Sequence, residues 1–253
     1  MRKLPVIDAL EHTLSLTFRN LGPALRISWA WILVLVGTTA LLMSSTGDMS
    51  ETDPVPDLGS LLLTVLIFVL VMGVATASIG VAWHRYILLD EGGGVTYNLR
   101  ADWTVWRYAG NVLAIIFGFV LVAFLPLMLL AAISEYFYLL IFPVIILLSP
   151  LVYRFMVKLP AIALERTDFT FKDALAATRG SYWQLLGLIV LYTILALILN
   201  AIMTAISSVV VLGGVVGGTL AAVAGGIIQW LGMIFGISLL TTMYGFFVEQ
   251  RSL

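Results

Sequence analysis

Cysteine is absent from the 253 residues, which removes disulfides, thiolate nucleophiles and Cys-based metal sites together. Charge is scarce as well. Asp, Glu, Lys and Arg make up 11% of the chain against 61% hydrophobic residues, whereas soluble domains carry roughly a quarter of charged residues. Histidine occurs only as His12 and His84, neither of them in a metal-binding spacing such as H-E-x-x-H. There is no G-x-S-x-G elbow and no G-x-x-x-x-G-K-[ST] loop. Gly92-Gly93-Gly94 follows a helical pattern rather than a strand, so it reads as a flexible loop and not a dinucleotide site. The chain is therefore expected to hold no cofactor or metal, to bind no nucleic acid and not to be an enzyme.

What is present is apolar length. Mean hydropathy is +1.09, and charge-free windows cover residues 27–47, 58–83, 108–134, 136–153 and 180–248. A membrane-spanning helix needs about 20 such residues to cross a hydrocarbon core of roughly 30 Å. The expected fold is all-α: a single polytopic membrane domain over 1–253 with six transmembrane helices near 25–44, 60–83, 109–133, 137–157, 184–207 and 224–247. The window 180–248 is long enough for three crossings, but "GGVVGG" at 213–218 supplies a turn and favours two. A re-entrant segment over 205–225 is the other reading of that stretch.

All thirteen Lys and Arg residues fall before residue 27, in 85–107, in 154–179, or at Arg251. The positive-inside rule then places both termini in the cytoplasm. "MRKLPVIDALEHTL" carries Asp8 and Glu11 where a signal peptide has its apolar region, so it is not read as one. Trp29, Trp83, Trp103, Trp106 and Trp183 all sit near the basic boundaries, the depth an indole prefers. In this reading Trp83-His84-Arg85-Tyr86 marks the inner end of the second span.

Amphipathic segments precede the odd-numbered spans. In the first, Val6, Ile7, Leu10, Leu14, Phe18 and Leu21 recur at helical spacing. In the second, Leu99, Trp103 and Trp106 form an apolar stripe beside Arg100 and Arg107. The third opens with Thr170 and Asp173 at capping-box spacing. The first and third align without a gap: Asp8-Ala9-Leu10 on Asp173-Ala174-Leu175, Thr13 on Thr178, Phe18 on Trp183 and Leu21-Gly22 on Leu186-Gly187. Three units follow, over about 6–83, 95–157 and 170–248, each a cytoplasmic interfacial helix leading into a membrane hairpin. The exits echo as well, Trp83-His84-Arg85-Tyr86 against Val152-Tyr153-Arg154-Phe155.

The stretch "FKDALAATRGSYWQLLGLIVLYTIL" (171–195) resembles the repeated pattern of the membrane domain attached to some bacterial glycerophosphodiester phosphodiesterases. It is also similar to the YciC-like group of inner-membrane proteins. Those enzymes catalyse with a separate soluble barrel that these residues do not contain, so the resemblance implies membrane packing and association, and no catalytic residue. It also points to a bacterial inner membrane.

The best candidate contacts to anionic lipid or a partner protein are Trp83, His84, Arg85, Trp103, Trp106 and Arg154, with arginine stems lying along the helices and guanidinium groups among phosphates. The competing reading pairs the arginines internally with Asp90 and Glu91. Asn200 and Gln229 are the more deeply placed polar residues and are expected to bond a neighbouring helix. Pro126, Pro143 and Pro150 can kink spans three and four. Gly213 with Gly217, Gly214 with Gly218, and Gly232 with Gly236 have small-xxx-small spacing and are read as packing sites within the chain.

The leading functional expectation is a scaffold, assembly factor or accessory subunit with a basic rim toward lipid or a partner. The alternative is a transporter with a polar cavity at the midplane. The cysteine-free background permits a direct topology test. Single cysteines at Ser50 and Ser134 should react with an impermeant thiol reagent in intact cells, whereas cysteines at Thr96 and Ser252 should need permeabilisation. External labelling at residue 252 would rule out the six-span arrangement.

Overall fold

The structure is a computed structural model that describes residues 3–46, 58–91, 99–210 and 213–253. Among them, helix follows helix: α1 (Val6–Arg19), α2 (Leu21–Thr46), α3 (Leu58–Leu89), α4 (Trp103–Phe119), α5 (Leu125–Ala131), α6 (Ile141–Met156), α7 (Lys158–Ala163), α8 (Phe171–Ala177), α9 (Tyr182–Val210) and α10 (Gly214–Phe247). Six stretches are long and apolar enough to cross a membrane: Leu21–Thr39, Leu62–Leu89, Trp103–Ala131, Ile141–Ala163, Tyr182–Val210 and Gly214–Phe247. The chain is an all-α polytopic membrane protein, with two crossings after residue 180.

The helices overrun the expected spans. At 1.5 Å per residue, the 34 residues of α10 extend roughly 50 Å, well beyond a hydrocarbon core of roughly 30 Å. Likewise α3 continues through Trp83-His84-Arg85-Tyr86 to Leu89, so that motif does not end the helix. Within 205–225 the described residues are nearly all helical, and residues 211–212 lie outside the described residues. Helix α9 runs to Val210 and α10 starts at Gly214, whose φ of +68° favours glycine at the turn.

Packing is concentrated at the charged end. Every residue of α10 from Ile237 to Phe247 is buried, enclosed by α1, α3, α7 and α9. Three clusters share this axis. One joins Ala24, Ile27 and Trp31 of α2 to Ala75, Ile79, Ala82 and Trp83 of α3 and Ile234 and Ile237 of α10. A second joins α3, α4 and α7 through Val81, Val105, Tyr108, Leu159 and Leu240. The third packs α1, α8 and α9 on the last turns of α10 through Ala9, Ala174, Leu185, Leu188 and Met243. The far halves of the spans expose large aliphatic residues such as Leu33, Leu66, Leu129 and Val209.

Span three bends through a π-helical turn at Val120–Phe124. Pro126 has no N–H to bond the carbonyl of Val122, and the wider turn, in which the Leu125 N–H reaches Val120 O, absorbs the mismatch. Pro150 lies buried inside α6.

The leading segments differ from expectation in two respects. Helix α1 forms, but its buried face is Ala9, Thr13 and Thr17, whereas Ile7 and Phe18 of the expected stripe are more than half exposed. Small residues let α1 lie closely on α10 and α9, which bulky ones on that face would prevent. In the second unit α4 starts at Trp103 on an Asp102 cap and continues directly into the span, so residues 99–102 add no separate interfacial helix; residues 92–98 lie outside the described residues. The third unit has the expected capping box on α8.

The first and third units share a local device. Thr13 donates to Ala9 O at 2.7 Å and Thr178 to Ala174 O at 2.8 Å, and all four residues are fully buried. These are positions paired by the sequence alignment. The helix breaks fall at different places, at Asn20 in one and at residues 178–181 in the other.

Enlarging the buried alanines tests this packing. Ala9→Leu and Ala174→Leu should each destabilise the detergent-solubilised protein by about 1–3 kcal/mol through overpacking, while Ile7→Ala leaves thermal unfolding nearly unchanged. Equal melting temperatures for all three would contradict the α1 orientation.

Candidate polar junction at the charged end

His84 lies on α3 with no exposed surface. Its Nδ1 is 2.8 Å from Thr241 Oγ1 on α10, and its Nε2 is 3.2 Å from Tyr108 Oη on α4. Thr241 donates its own proton to Ile237 O at 3.0 Å. The chain of donors is therefore Tyr108 O–H to Nε2, Nδ1–H to Thr241 Oγ1, and Thr241 O–H to the α10 backbone, which satisfies one neutral imidazole tautomer. Gly80, one turn before His84, makes room for this arrangement: a Cβ there would lie 3.0 Å from Tyr108 Oη.

Further polar ties surround the junction. Trp31 Nε1 donates to Ser78 Oγ at 2.8 Å, Trp230 Nε1 to Ser28 Oγ at 2.7 Å, and Tyr86 Oη to Asn20 Oδ1 at 3.1 Å. The hydroxyls of Thr13 and Thr242 approach to 3.2 Å. In this way α1, α3, α4 and α2 are each joined to α10 directly or through one neighbour. Such bonds matter in lipid, where burial of apolar surface does not itself draw helices together.

The burial of Trp83 and His84 corrects the expectation that they meet lipid or a partner. Both have 0% exposure. Trp83 packs among Ala24, Ile79, Ile234 and Ile237, and its buried Nε1 has no hydrogen-bond partner among the described residues.

Arg85 and Arg154 are engaged within the chain. Arg85 forms a forked bond to Glu91, at 2.6 and 2.9 Å, and its Nη1 donates to Ala163 O and Glu165 Oε1, each at 3.1 Å. Glu165 also faces Arg100 at 3.8 Å, and Arg100 pairs with Asp102. Backbone geometry aims this network. Asp90 ends α3 with φ 53° and Glu165 follows α7 with φ 60°, both left-handed conformations that reverse the chain after a helix. Around Glu165 the N–H of Arg166 bonds Ala161 O and that of Glu165 bonds Ile162 O, a Schellman arrangement. Arg154 donates to Thr178 Oγ1 at 2.9 Å and Leu175 O at 2.7 Å, closing the C-terminal end of α8.

Of the other expected contacts, Trp103 and Trp106 are 75% and 49% exposed, open to whatever surrounds α4. Asn200 and Gln229 are both exposed, and Asn200 Nδ2 bonds Ala196 O of its own helix at 2.8 Å. Of the paired glycines, a Cβ on Gly213, Gly214, Gly218 or Gly232 would meet nothing within 4 Å, whereas one on Gly236 would near Tyr192 Oη and Gly217 is buried. Among the described residues no group of three or more His, Cys, Asp or Glu is placed to hold a metal ion. Sequence reasoning missed Tyr108, Thr241, Ser28, Ser78 and Glu165, whose partners lie 24 to 202 residues away in the tryptophan, histidine and arginine bonds. The local signal that could have found the junction is Gly80, one turn before His84, where a Cβ would crowd Tyr108.

Comparison of the chain with models of known families, with curated proteins and with solved structures gives no match.

Asp102 lies outside the spans. Partial burial raises its carboxyl, and the bonds from Arg100 and the Val105 N–H outweigh that effect, leaving it below the ordinary 3.8. Its contribution is present above 3.8 and is lost as pH falls through the lower folded value. Asp102→Ala should cost about 1 kcal/mol at neutral pH and flatten the acid limb of a stability profile. At the junction, Tyr108→Phe and His84→Leu should each destabilise by about 1–3 kcal/mol by orphaning a buried partner. The double variant should cost less than the sum; strict additivity in thermal or denaturant unfolding would mean the two side chains do not interact.

Proposed function

We propose that this chain is a non-enzymatic scaffold, assembly factor or accessory subunit of the bacterial inner membrane, with both termini cytoplasmic. The observation that carries this reading is the outward face of α10. Ala222, Gly225, Gln229 and Gly232 are all exposed and follow one another at spacings of three and four residues, so they lie along one side of the helix. A carboxamide at membrane depth, flanked by residues that let another backbone approach, suits a helix of another protein better than lipid. Asn200 on α9 adds a second outward amide.

The transport reading called for Asn200 or Gln229 in an internal polar cavity. Both face outward, and His84, Tyr108 and Thr241 are engaged with one another, so the association reading has the better support.

Cysteine scanning of native membranes tests it. Gly225→Cys or Gln229→Cys should form a bismaleimide adduct with a membrane protein, identified by mass spectrometry, and Leu129→Cys on exposed α5 should not. No adduct at either α10 position, or equal adducts at all three, would overturn the association reading.

A further inference from the structure

With Arg85 and Arg154 bonded internally, the question is which cations remain available at the charged end. Arg107 and Lys158 stand out. Neither is within ion-pair distance of a carboxylate among the described residues, and the helices that carry them, α4 and α7, pack on one another through Val105, Tyr108 and Leu159. Two like charges set side by side without a counter-ion are stabilised by a bound anion.

Their position defines the anion's chemistry. A cleft of about 340 Å³ lies between α4 and α6, lined by apolar residues that include Ala114 and Gly118 of α4, Val122 of the π-turn, Leu148 and Phe155 of α6, and Phe171 of α8. Arg107 lies on the same side of α4 as Ala114 and Gly118, at spacings of seven and four residues. Lys158 continues the line of Leu148, Leu151 and Phe155. The Lys158 ammonium sits 3.9 Å from the centroid of the Phe171 ring, and Phe171 meets Phe155 edge-on at 5.7 Å. Each wall is thus continued by a cation beyond the lining residues, Lys158 against the Phe171 ring and Arg107 about two turns before Ala114. Exposed Trp103 and Trp106, within a turn or so of Arg107, mark that end as interfacial in depth. From Arg107 to Val122 the helix rises roughly 22 Å, enough to follow an acyl chain through one leaflet of roughly 15 Å.

We propose that this cleft binds one acyl chain of an anionic glycerophospholipid, with the phosphate held between Arg107 and Lys158. Neither half alone identifies the ligand. The apolar cleft accepts any lipid chain, and the cations accept any phosphate; together they select an anionic lipid. The site is independent of whatever covers the outward face of α10.

The full chain, purified in mild detergent and delipidated, is titrated with phosphatidylglycerol, phosphatidylcholine of the same chains, or inorganic phosphate, and bound lipid is read by native mass spectrometry. One phosphatidylglycerol should be retained roughly tenfold or more over phosphatidylcholine, a preference on the scale of two interfacial basic residues. Arg107→Gln with Lys158→Gln should abolish the preference. Gly118→Leu should reduce retention of both lipids, because a Cβ at Gly118 meets nothing within 4 Å and a larger side chain fills the cleft. Arg179→Gln, on an exposed loop, should change nothing. Equal retention of the two lipids, or an unchanged preference in the double variant, overturns the proposal. So does displacement of phosphatidylglycerol by equimolar inorganic phosphate, which would assign the cations to a free anion. If the double variant does not fold, phosphatidylglycerol carrying a photoreactive acyl chain decides on the unaltered protein: labels within 114–122 and 148–155 support the site, and labels confined elsewhere refute it.

Discussion

The fold depends on surrounding the last three turns of α10. In lipid, one apolar helix gains little hydrophobic free energy by leaving the hydrocarbon for another, so association rests on close packing and on hydrogen bonds between helices. Residues 237–247 are buried on every side, which requires α1, α3, α7 and α9 to approach at once. Small residues permit that approach: Ala9 and Thr13 on α1, Ala77 on α3, Ala161 and Ala163 on α7. Thr241 and Thr242 then turn contact into register, one through His84 and the other through Thr13. A helix shifted by one turn would lose these bonds together.

The charged rim follows from the same axis. Once α3 and α7 are fixed against α10, their ends lie close enough for Arg85 to reach both Ala163 O and Glu165. A guanidinium offers five donors in a planar fork, and here most are taken by a bidentate carboxylate, a carbonyl and a second carboxylate. Charge of both signs is therefore consumed in closing the ends of α3 and α7. Arg154 does comparable work at α8. The arginines most conspicuous in the sequence, at the ends of two apolar runs, hold the chain to itself.

The number of spans was legible because a charge-free run has one physical meaning at twenty residues and the turn at Gly214 has a conformational one. The cap at Thr170 was legible because both of its partners lie within four residues. Helix ends were not, since a long apolar helix can continue past the membrane when protein covers it, as α3 does through Leu89. The junction was hidden for a different reason: Thr241 is one of many hydroxyls in an apolar run, and nothing local distinguishes it from Thr204, which bonds only its own helix. For the tryptophans, composition specified a depth and not a direction. Trp103 points outward while Trp83, at a similar boundary, is enclosed.

The π-turn at Val120–Phe124 separates α4 from α5 within one span. Residues 103–119 are anchored through Val105, Tyr108 and Ile115, and beyond the turn most side chains of α5 face outward. Val122 belongs to that turn and also lines the α4–α6 cleft. Part of the cleft wall is thus made from the stretch of this span whose helical ladder is least regular, where the turn carries one residue more than an α-helical turn. Adjustment of that turn would reshape the Val122 end of the cleft and leave the Phe155 and Phe171 end in place, so one frame could take apolar chains of unequal length.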